Sequence, residues 1–253
     1  MERAGTQNRG VKAGISALWQ AWFGLHFLGT LSLYYLPLRW CFSAQKLEAA
    51  LWLQRRWAAY LRHVVGIRLQ QNGPKPLHSP VVYVANHSNF LDIILAYGLV
   101  PDYFHFMAKD SLTKVPLFRI LFQNSHIPFD RHNPREAMRA FIRARNDIKA
   151  GRSIFIFPEA TQNTAAPQLL PFKDGAFRLA LATGVPIVPV VFHNNYRLLP
   201  YQRKLFARDT WGRPGKAQVS FLPAIDTRMS HCAPETLAEE VRVQMQECLN
   251  QGF

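Results

Sequence analysis

The chain has 253 residues with a hydrophobic content of 49%, which is enough for a substantial buried core and excludes an intrinsically disordered protein. Its formal net charge of +14 indicates an anionic partner, either a membrane surface or a nucleic acid, unless the basic residues simply form a solvated surface. These residues are dispersed and no nucleic-acid-binding module is recognisable, which favours the membrane. The three cysteines lack paired or metal-binding spacing, so we expect reduced thiols in a protein that faces the cytoplasm.

The first predicted element is an apolar N-terminal helix. No Asp, Glu, Lys or Arg occurs from Ala13 to Leu38, a run long enough to cross a bilayer. Gln20, His26 and several hydroxyl side chains dilute its hydropathy, which suits a helix that lies in one leaflet. Spanning and monotopic arrangements both remain open at this point, whereas the length of the run disfavours a cleaved signal peptide.

A second predicted helix covers Gln45 to Val65 and is amphipathic and basic. Its Trp52 and Trp57, with arginines nearby, are typical of side chains at the headgroup level of a membrane, although the pattern also fits a helix packed on a core. The Gly and Pro residues of Asn72–Pro76 predict a boundary. We therefore expect membrane-associating helices in residues 1–75 and a separate domain in residues 76–253.

The rest of the chain alternates between apolar runs typical of strands and longer segments with helical periodicity, which predicts an α/β domain. Predicted strands lie near residues 67–70, 80–85, 103–107, 125–129, 153–157, 186–192 and 217–222. The clearest helix covers 134–150, because Asn133 and Pro134 begin it and Gly151 ends it. A closing helix runs from Pro234 to Leu249.

A histidine and a carboxylate follow the second predicted strand. The apolar run ends at Ala85, and His87 lies in the polar turn that follows. Asn89 is a good N-cap for the next helix, and Asp92 can reach back toward His87 from the first helical turn. Such a carboxylate orients one imidazole nitrogen and leaves the other free to take a proton. The alternative is a loop histidine beside a carboxylate that only caps the helix.

Polar residues also follow a later strand. Pro158, Glu159 and Thr161 come directly after the apolar run Ile154–Phe157. Open α/β sheets place their sites at the C-terminal ends of the strands, so we expect this segment and His87 at one edge of the sheet.

Four segments, in chain order, resemble the motifs of the lysophospholipid acyltransferase family, which includes the 1-acylglycerol-3-phosphate acyltransferases. They are Asn86-His87 with Asp92, Phe129–Arg131, Phe157–Thr161 and Val185–Pro189. Two lesser segments, Ala108–Leu112 and Phe172–Phe177, are also similar to family segments. Each motif alone is a weak signal, but four in this order are specific, and the resemblance covers residues 65–225.

This resemblance implies a fold, an activity and a set of site residues. The implied fold is a mixed α/β sheet flanked by helices, with residues 76–253 as the catalytic domain, preceded by an N-terminal membrane-embedded helix pair. The implied activity is transfer of a fatty acyl group from acyl-CoA or acyl carrier protein (ACP) to the hydroxyl of a lysophospholipid, without a cofactor. The expected acceptor is 1-acylglycerol-3-phosphate, which gives phosphatidic acid. His87 and Asp92 are the implied catalytic pair. The expected substrate-binding residues are Asn86, Lys109, Arg131, Phe157, Pro158, Glu159, Thr161 and Lys173.

The third motif departs from the family pattern, because Ala160 and Gln162 occupy the places of the usual Gly and Arg. An amide does not grip a phosphate as a guanidinium does, so we expect the phosphate contacts from Arg131, Lys109 and Lys173. Another acceptor therefore remains open, such as lysophosphatidylcholine, lysophosphatidylethanolamine or a lyso-ornithine lipid. Ala160 indicates that the backbone here either avoids a positive φ or tolerates its cost.

Three other readings compete with direct acyl transfer. Ser88 adjoins His87 and would allow an acyl-enzyme, but no Gly-x-Ser-x-Gly pattern surrounds it. A metal hydrolase is disfavoured because the nine histidines lack zinc-binding spacing. A membrane-bound lipid-binding protein without turnover would explain the altered third motif but not the intact His87 and Asp92. We therefore predict direct transfer, with His87 as the general base and Asp92 orienting it.

Overall fold

The computed structural model describes residues 2–75, 78, 80–109, 126–129, 133–199, 212–228 and 232–253. Two helices come first, α1 (Glu2–Ser43) and α2 (Leu47–Val64). The strands are β1 (Ile67–Asn72), β2 (Val82–Ala85), β3 (Phe104–Lys109), β4 (His126–Phe129), β5 (Ser153–Ile156), β6 (Ile187–Phe192) and β7 (Gly215–Phe221). The later helices are α3 (Leu91–Leu99), α4 (Pro134–Lys149), α5 (Gly175–Thr183), the short α6 (Asn195–Leu198) and α7 (Pro234–Gln251).

The strands form one mixed sheet of seven strands in the order β1-β7-β6-β2-β5-β3-β4. Every neighbouring pair is parallel except β6 and β7, so β1 and β7 run opposite to the other five. The C-terminal ends of β2, β5 and β6 consequently meet at one edge of the sheet, which is where sites of open α/β sheets form. The predicted mixed α/β fold is confirmed.

The predicted elements agree with the structure to within two residues at each end for all seven strands. The predicted start of α4 is confirmed in detail, because Asn133 Oδ1 accepts hydrogen bonds from the backbone N–H groups of Arg135 (3.1 Å) and Glu136 (3.4 Å). Strong local signals, such as the Asn-Pro pair at the start of α4, predict where an element begins or ends.

The sheet separates two apolar clusters, because alternate residues of each strand point to opposite faces. Tyr83 and Phe155 belong to the cluster that α1, α2 and α3 cover. Val82 and Ile154 belong to the cluster that α4, α5 and α7 cover. Helices α1 and α4 therefore lie on opposite sides of the sheet.

The two N-terminal helices pack against each other through aromatic side chains. Trp57 is only 2% exposed, its Nε1 donates a hydrogen bond to Thr30 Oγ1 at 2.9 Å, and its ring centroid lies 5.4 Å from that of Phe27. Trp57 therefore follows the core-packing alternative, because this side of α2 faces α1, whereas Trp52 is 56% exposed. Among the described helices, none combines the length and the apolarity needed to cross a membrane.

The boundary predicted at Asn72–Pro76 does not separate two packed units. Strand β1 lies on the N-terminal side of that boundary, yet it pairs with β7 along its whole length, from Ile67 opposite Gly215 to Asn72 opposite Ser220. Side chains of α1 and α2 share one apolar cluster with residues of β6 and β7. The predicted parts 1–75 and 76–253 thus share one sheet and one core.

Candidate active site

His87 and Asp92 lie together at the C-terminal end of β2. The His87 Nδ1 atom is 2.9 Å from Asp92 Oδ2, and the Asp92 side chain is fully buried while that of His87 is 13% exposed. His87 Nε2 has no hydrogen-bond partner among the described residues. An imidazole whose Nδ1–H is held by a carboxylate keeps a lone pair on Nε2, so the geometry suits a general base.

Asp92 is held in place by four donors. Its Oδ2 also accepts the backbone N–H groups of Ser88 (2.7 Å) and Asn89 (3.0 Å), and its Oδ1 accepts Asn195 Nδ2 (2.6 Å). Asn89 Oδ1 accepts the N–H of Leu91, the first residue of α3, but Phe90 occupies the N-cap position, so the prediction of Asn89 as the N-cap is wrong by one residue. The carboxylate therefore both closes the turn and orients the histidine.

The loop after β5 supports the turn that carries His87. Glu159 Oε1 accepts the His87 backbone N–H at 2.9 Å, and Oε2 accepts Asn163 Nδ2 (2.6 Å) and the Leu170 N–H (2.9 Å). Burial raises the pKa of Glu159 above its ordinary value, although these hydrogen bonds oppose the shift. The Phe157 ring stacks on the His87 ring with centroids 4.1 Å apart. This loop fixes both the backbone and the ring of His87.

Comparison with known proteins identifies the family of this chain. A family model described as Acyltransferase matches residues 61–193, more than half of the chain. The chain belongs to the acyltransferase family. It is 30% identical over 217 residues to a 1-acyl-sn-glycerol-3-phosphate acyltransferase of Saccharomyces cerevisiae, a match that covers 83% of this chain and 70% of that protein.

Two further acyltransferases are similar. The chain is 33% identical over 152 residues to the 1-acyl-sn-glycerol-3-phosphate acyltransferase of Haemophilus influenzae, covering 58% of this chain and 63% of that protein. Several other relatives are likewise matched over less than two thirds of their own length. The crystal structure of the 1-acyl-sn-glycerophosphate acyltransferase of Thermotoga maritima superposes with a TM-score of 0.73 at 21% identity, covering 96% of this chain and 97% of that one. This last likeness shows the fold.

Two residues of this acyltransferase that were predicted to bind substrate have their polar atoms occupied by the protein itself. Asn86 Nδ2 donates to the Phe192 carbonyl at 3.0 Å and its Oδ1 accepts the Phe192 N–H at 2.8 Å, which ties the end of β2 to β6. Glu159 is 4% exposed and both of its oxygens accept protein donors. These contacts hold the end of β2 and the loop after β5 in place, and substrate binding by Asn86 and Glu159 stays a prediction.

Of the other predicted contacts, Pro158, Thr161 and Lys173 lie in the segment that follows β5. Thr161 and Lys173 are exposed, and the Lys173 N–H donates to the carbonyl of the buried Pro158 at 2.9 Å. Lys109 ends β3, but its side chain lies outside the described residues, as does the whole of Arg131. Substrate binding by these residues stays a prediction.

Ala160 adopts a φ of 57°, in the left-handed region that favours glycine. The sequence left open whether the backbone avoids a positive φ here or tolerates its cost. The structure shows that Ala160 tolerates it. The cost is about 1–2 kcal/mol for a residue with a Cβ atom. Ala160 therefore adopts a glycine-favoured backbone conformation at the position where the family usually has glycine.

Sequence reasoning missed two asparagines of the site. Asn195 is fully buried and donates to Asp92, and Asn163 binds Glu159 through its side chain while its backbone N–H donates to the His87 carbonyl at 2.7 Å. Asn195 follows β6 in the same way that His87 follows β2, and this position after a buried strand was the available signal.

The competing chemistries gain no support from the described contacts. Ser88 is 3% exposed and its Oγ accepts a hydrogen bond from Asn89 Nδ2 at 3.2 Å, with no contact to His87 Nε2 among the described hydrogen bonds. Within the described part of the chain, no group of His, Cys, Asp and Glu side chains is arranged to hold a metal ion.

Proposed function

We propose that this protein transfers a fatty acyl group from an acyl thioester to the free hydroxyl of 1-acylglycerol-3-phosphate, giving phosphatidic acid. The observation that carries the proposal is the 2.9 Å contact between His87 Nδ1 and Asp92 Oδ2, with Nε2 directed away from the carboxylate. The family match and the names of the relatives support the substrate class.

The proposed mechanism is direct transfer. His87 Nε2 takes the proton of the acceptor hydroxyl while the oxygen attacks the thioester carbonyl carbon. Asp92 stabilises the imidazolium through Nδ1. The tetrahedral intermediate collapses, the carbon–sulfur bond breaks, and the imidazolium returns its proton to the departing thiolate. A positioned base contributes about 100- to 10,000-fold, so proximity and oxyanion stabilisation supply the remainder. No cofactor enters the scheme.

We place the phosphate of the acceptor near Lys173, with Lys109 and Arg131 as further cations. The exposed Lys173 follows the Glu159 loop, to which its backbone is tied through Pro158. A lysine ammonium binds phosphate as a point charge and does not need the bidentate geometry of arginine.

A second candidate function is acylation of a different lysolipid. It is favoured by Gln162, which occupies the place of the usual phosphate-binding arginine and is partly exposed. Assays with lysophosphatidic acid, lysophosphatidylcholine, lysophosphatidylethanolamine and a lyso-ornithine lipid separate the two candidates, because only the first offers a phosphate monoester.

We propose that α1 binds the enzyme to an anionic membrane surface. Its large exposed side chains are apolar, recur every three to five residues and form one stripe along the helix. They are Ile15, Leu18, Trp22, Leu25, Leu28, Leu33, Leu36 and Trp40. An exposed apolar face of this extent favours a lipid surface, and tryptophan suits the interface. Cys41, Cys232 and Cys248 form no disulfide within the described residues, which fits a protein whose catalytic domain faces the cytoplasm.

The decisive experiment replaces the base. We expect His87→Ala to lower the rate of thiol release from palmitoyl-CoA with lysophosphatidic acid by about 100- to 10,000-fold, because no base is left to take the proton from the lysolipid hydroxyl. The matched control is His78→Ala, since His78 is an exposed histidine that contacts Asp102. Binding to vesicles should be the same in both variants, whereas the thermal midpoint of His87→Ala should fall moderately, because the buried Asp92 loses one of its four donors.

Two outcomes contradict the proposal. If His87→Ala retains the wild-type rate, His87 is not the base. If the wild-type protein transfers no acyl group to any of the four lysolipids from either CoA or ACP thioesters, the protein is a lipid-binding protein without turnover.

A further inference from the structure

Four aromatic rings form a continuous stack that begins at His87. The centroid of the His87 ring lies 4.1 Å from that of Phe157. Phe157 stacks in turn on Phe106 at 5.9 Å, and Phe106 stacks on His126 at 5.0 Å. The angles between successive ring planes are 20°, 12° and 16°. Each ring is thus nearly parallel to the next, and we call this series the ring stack.

The register of the strands explains why these four rings meet. β2, β5, β3 and β4 are successive parallel neighbours in the sheet. Phe106 pairs directly with His126 on one side and with Phe155 on the other, and Phe157 lies two residues beyond Phe155, on the same face. Neighbouring strands are about 4.8 Å apart, which is close to the spacing of stacked rings. One ring from each strand therefore continues the series from His87, just after β2, to the outermost strand β4.

The inner part of the ring stack is held more firmly than its outer part. Phe106 is 2% exposed and His126 is 1% exposed, whereas Phe157 is only partly buried and follows the end of β5. The edges of Phe106 are also packed, because its plane makes angles of 79° with Tyr97 and 72° with Phe104. A ring that is packed on its faces and its edges cannot turn without losing both sets of contacts. Phe106 is therefore a fixed surface behind Phe157.

The hydrogen bond to Asp92 does not by itself fix the plane of the His87 ring. The 2.9 Å contact holds Nδ1, but it leaves the ring able to tilt about that bond. A tilt moves Nε2, the atom that is proposed to take the proton, and proton transfer depends on the alignment of this atom with the acceptor hydroxyl. Stacking on Phe157 opposes the tilt as long as Phe157 keeps its own orientation.

We propose that Phe106 and His126 are positioning residues of the acyl-transfer site, because they fix the ring of Phe157 and, through it, the plane of the His87 imidazole. The inference rests on the proposed function, since it concerns the base of the same reaction. It assigns a role in turnover to two buried side chains that lie one and two rings beyond the ring that contacts His87.

The kinetic test removes the ring that backs Phe157. We expect Phe106→Leu to lower kcat roughly 2- to 12-fold, the range that loss of one aromatic pair implies, with KM for lysophosphatidic acid unchanged. The matched control is Phe221→Leu, since Phe221 is also 2% exposed but belongs to β7, two strands from β2 on the side away from the ring stack. Both variants should lose thermal stability, and only Phe106→Leu should lose kcat. Phe106→Tyr keeps a ring at this position and should restore most of the rate.

A nuclear magnetic resonance measurement tests the inference without turnover. The protein is prepared in detergent with isotope-labelled histidine, and the His87 signals are identified by their absence in His87→Ala. Ring protons that lie over the face of an aromatic ring are shifted upfield, so the signals of His87 report its stacking on Phe157. We expect this upfield shift to decrease in Phe106→Leu and to persist in Phe221→Leu. His126→Leu removes the last ring of the series and provides the same comparison if Phe106→Leu does not fold.

Two results would overturn the inference: an equal loss of kcat in Phe106→Leu and Phe221→Leu, or His87 signals in Phe106→Leu that match those of the wild type. If the wild-type protein transfers no acyl group, the proposed function fails and the His87 signals decide the inference alone. A change that is confined to the variants of the ring stack then supports it, and unchanged signals refute it.

Discussion

Asp92 organises the candidate site because four donors converge on its buried carboxylate. Three come from the adjacent turn, namely His87 Nδ1 and the N–H groups of Ser88 and Asn89. The fourth, Asn195, lies 103 residues further along the chain, and its own Oδ1 has no partner among the described residues. A buried amide oxygen without a hydrogen bond lowers the stability of the fold. We infer that the role of Asn195 is the hydrogen bond that its Nδ2 donates to Asp92.

We expect Asn195→Ala to lower kcat by about 10- to 100-fold with little change in KM, because loss of a donor to a buried charged group costs about 1–3 kcal/mol. The pH profile of kcat/KM should also shift, since the carboxylate that orients His87 loses a partner. The control is Asn194→Ala, because Asn194 bonds Lys216 and Gln218 but not Asp92. If both variants lose only thermal stability and leave the pH profile unmoved, Asn195 is structural and does not position Asp92.

At the scale of elements, α1 and α4 present opposite chemistries on opposite sides of the sheet. α1 buries Phe27, Leu31 and Leu38 against the core and exposes a second, apolar stripe outward. α4 buries Ala140, Ala144, Asp147 and Ile148, and most of its exposed side chains are cations. A helix that is apolar on two faces needs a second apolar neighbour, and lipid provides one.

We expect Leu25→Ser, Leu28→Ser to reduce binding to anionic phospholipid vesicles at least tenfold, because each buried leucine contributes about 1.5 kcal/mol or more. These side chains are 66% and 50% exposed, so the fold should persist. Co-sedimentation with vesicles measures the effect. The matched control is Met138→Ser, Ile142→Ser on α4, which should sediment as the wild type does; equal losses in both variants would rule out α1 as the membrane-binding element.

At the scale of the whole molecule, a second buried His–Asp pair joins elements away from the active site. Asp147 of α4 accepts His105 Nδ1 of β3 and Arg152 Nη1, both at 2.8 Å. Burial alone would raise the pKa of Asp147, but the hydrogen bonds from His105 and Arg152 outweigh it and hold the pKa below its ordinary value. The folded protein therefore binds a proton here less readily than the unfolded chain does. This group stabilises the fold above the ordinary aspartate range, about pH 4, and the contribution is lost as the pH falls through the lowered pKa.

Asp147→Asn is accordingly expected to destabilise the protein at pH 7, by an amount that shrinks as the pH falls below about 4. Urea unfolding at a series of pH values measures the free energy of unfolding. Asp226→Asn is the control, because Asp226 pairs with Arg228 at the surface, where ion pairs contribute little. A deficit in Asp147→Asn that does not change with pH would contradict the assignment.

The sequence determined the features that depend on neighbouring residues. Apolar runs between turn residues predicted all seven strands, and Asn133 with Pro134 predicted the start of α4. The spacing of His87 and Asp92 predicted their contact, because a strand end and one helical turn bring them together whatever the rest of the fold does.

Only the tertiary structure decided the features that depend on distant residues. It placed β1 in the sheet beside β7, buried Trp57 against α1, turned the Glu159 carboxylate toward the backbone of His87 and brought Asn195 to Asp92. Apart from the position of Asn195 after β6, these contacts leave no local pattern, since either face of an amphipathic helix, or either role of a buried carboxylate, is consistent with the same sequence. The choice is made when packing removes apolar surface from water and each buried polar group must find a partner across the sheet.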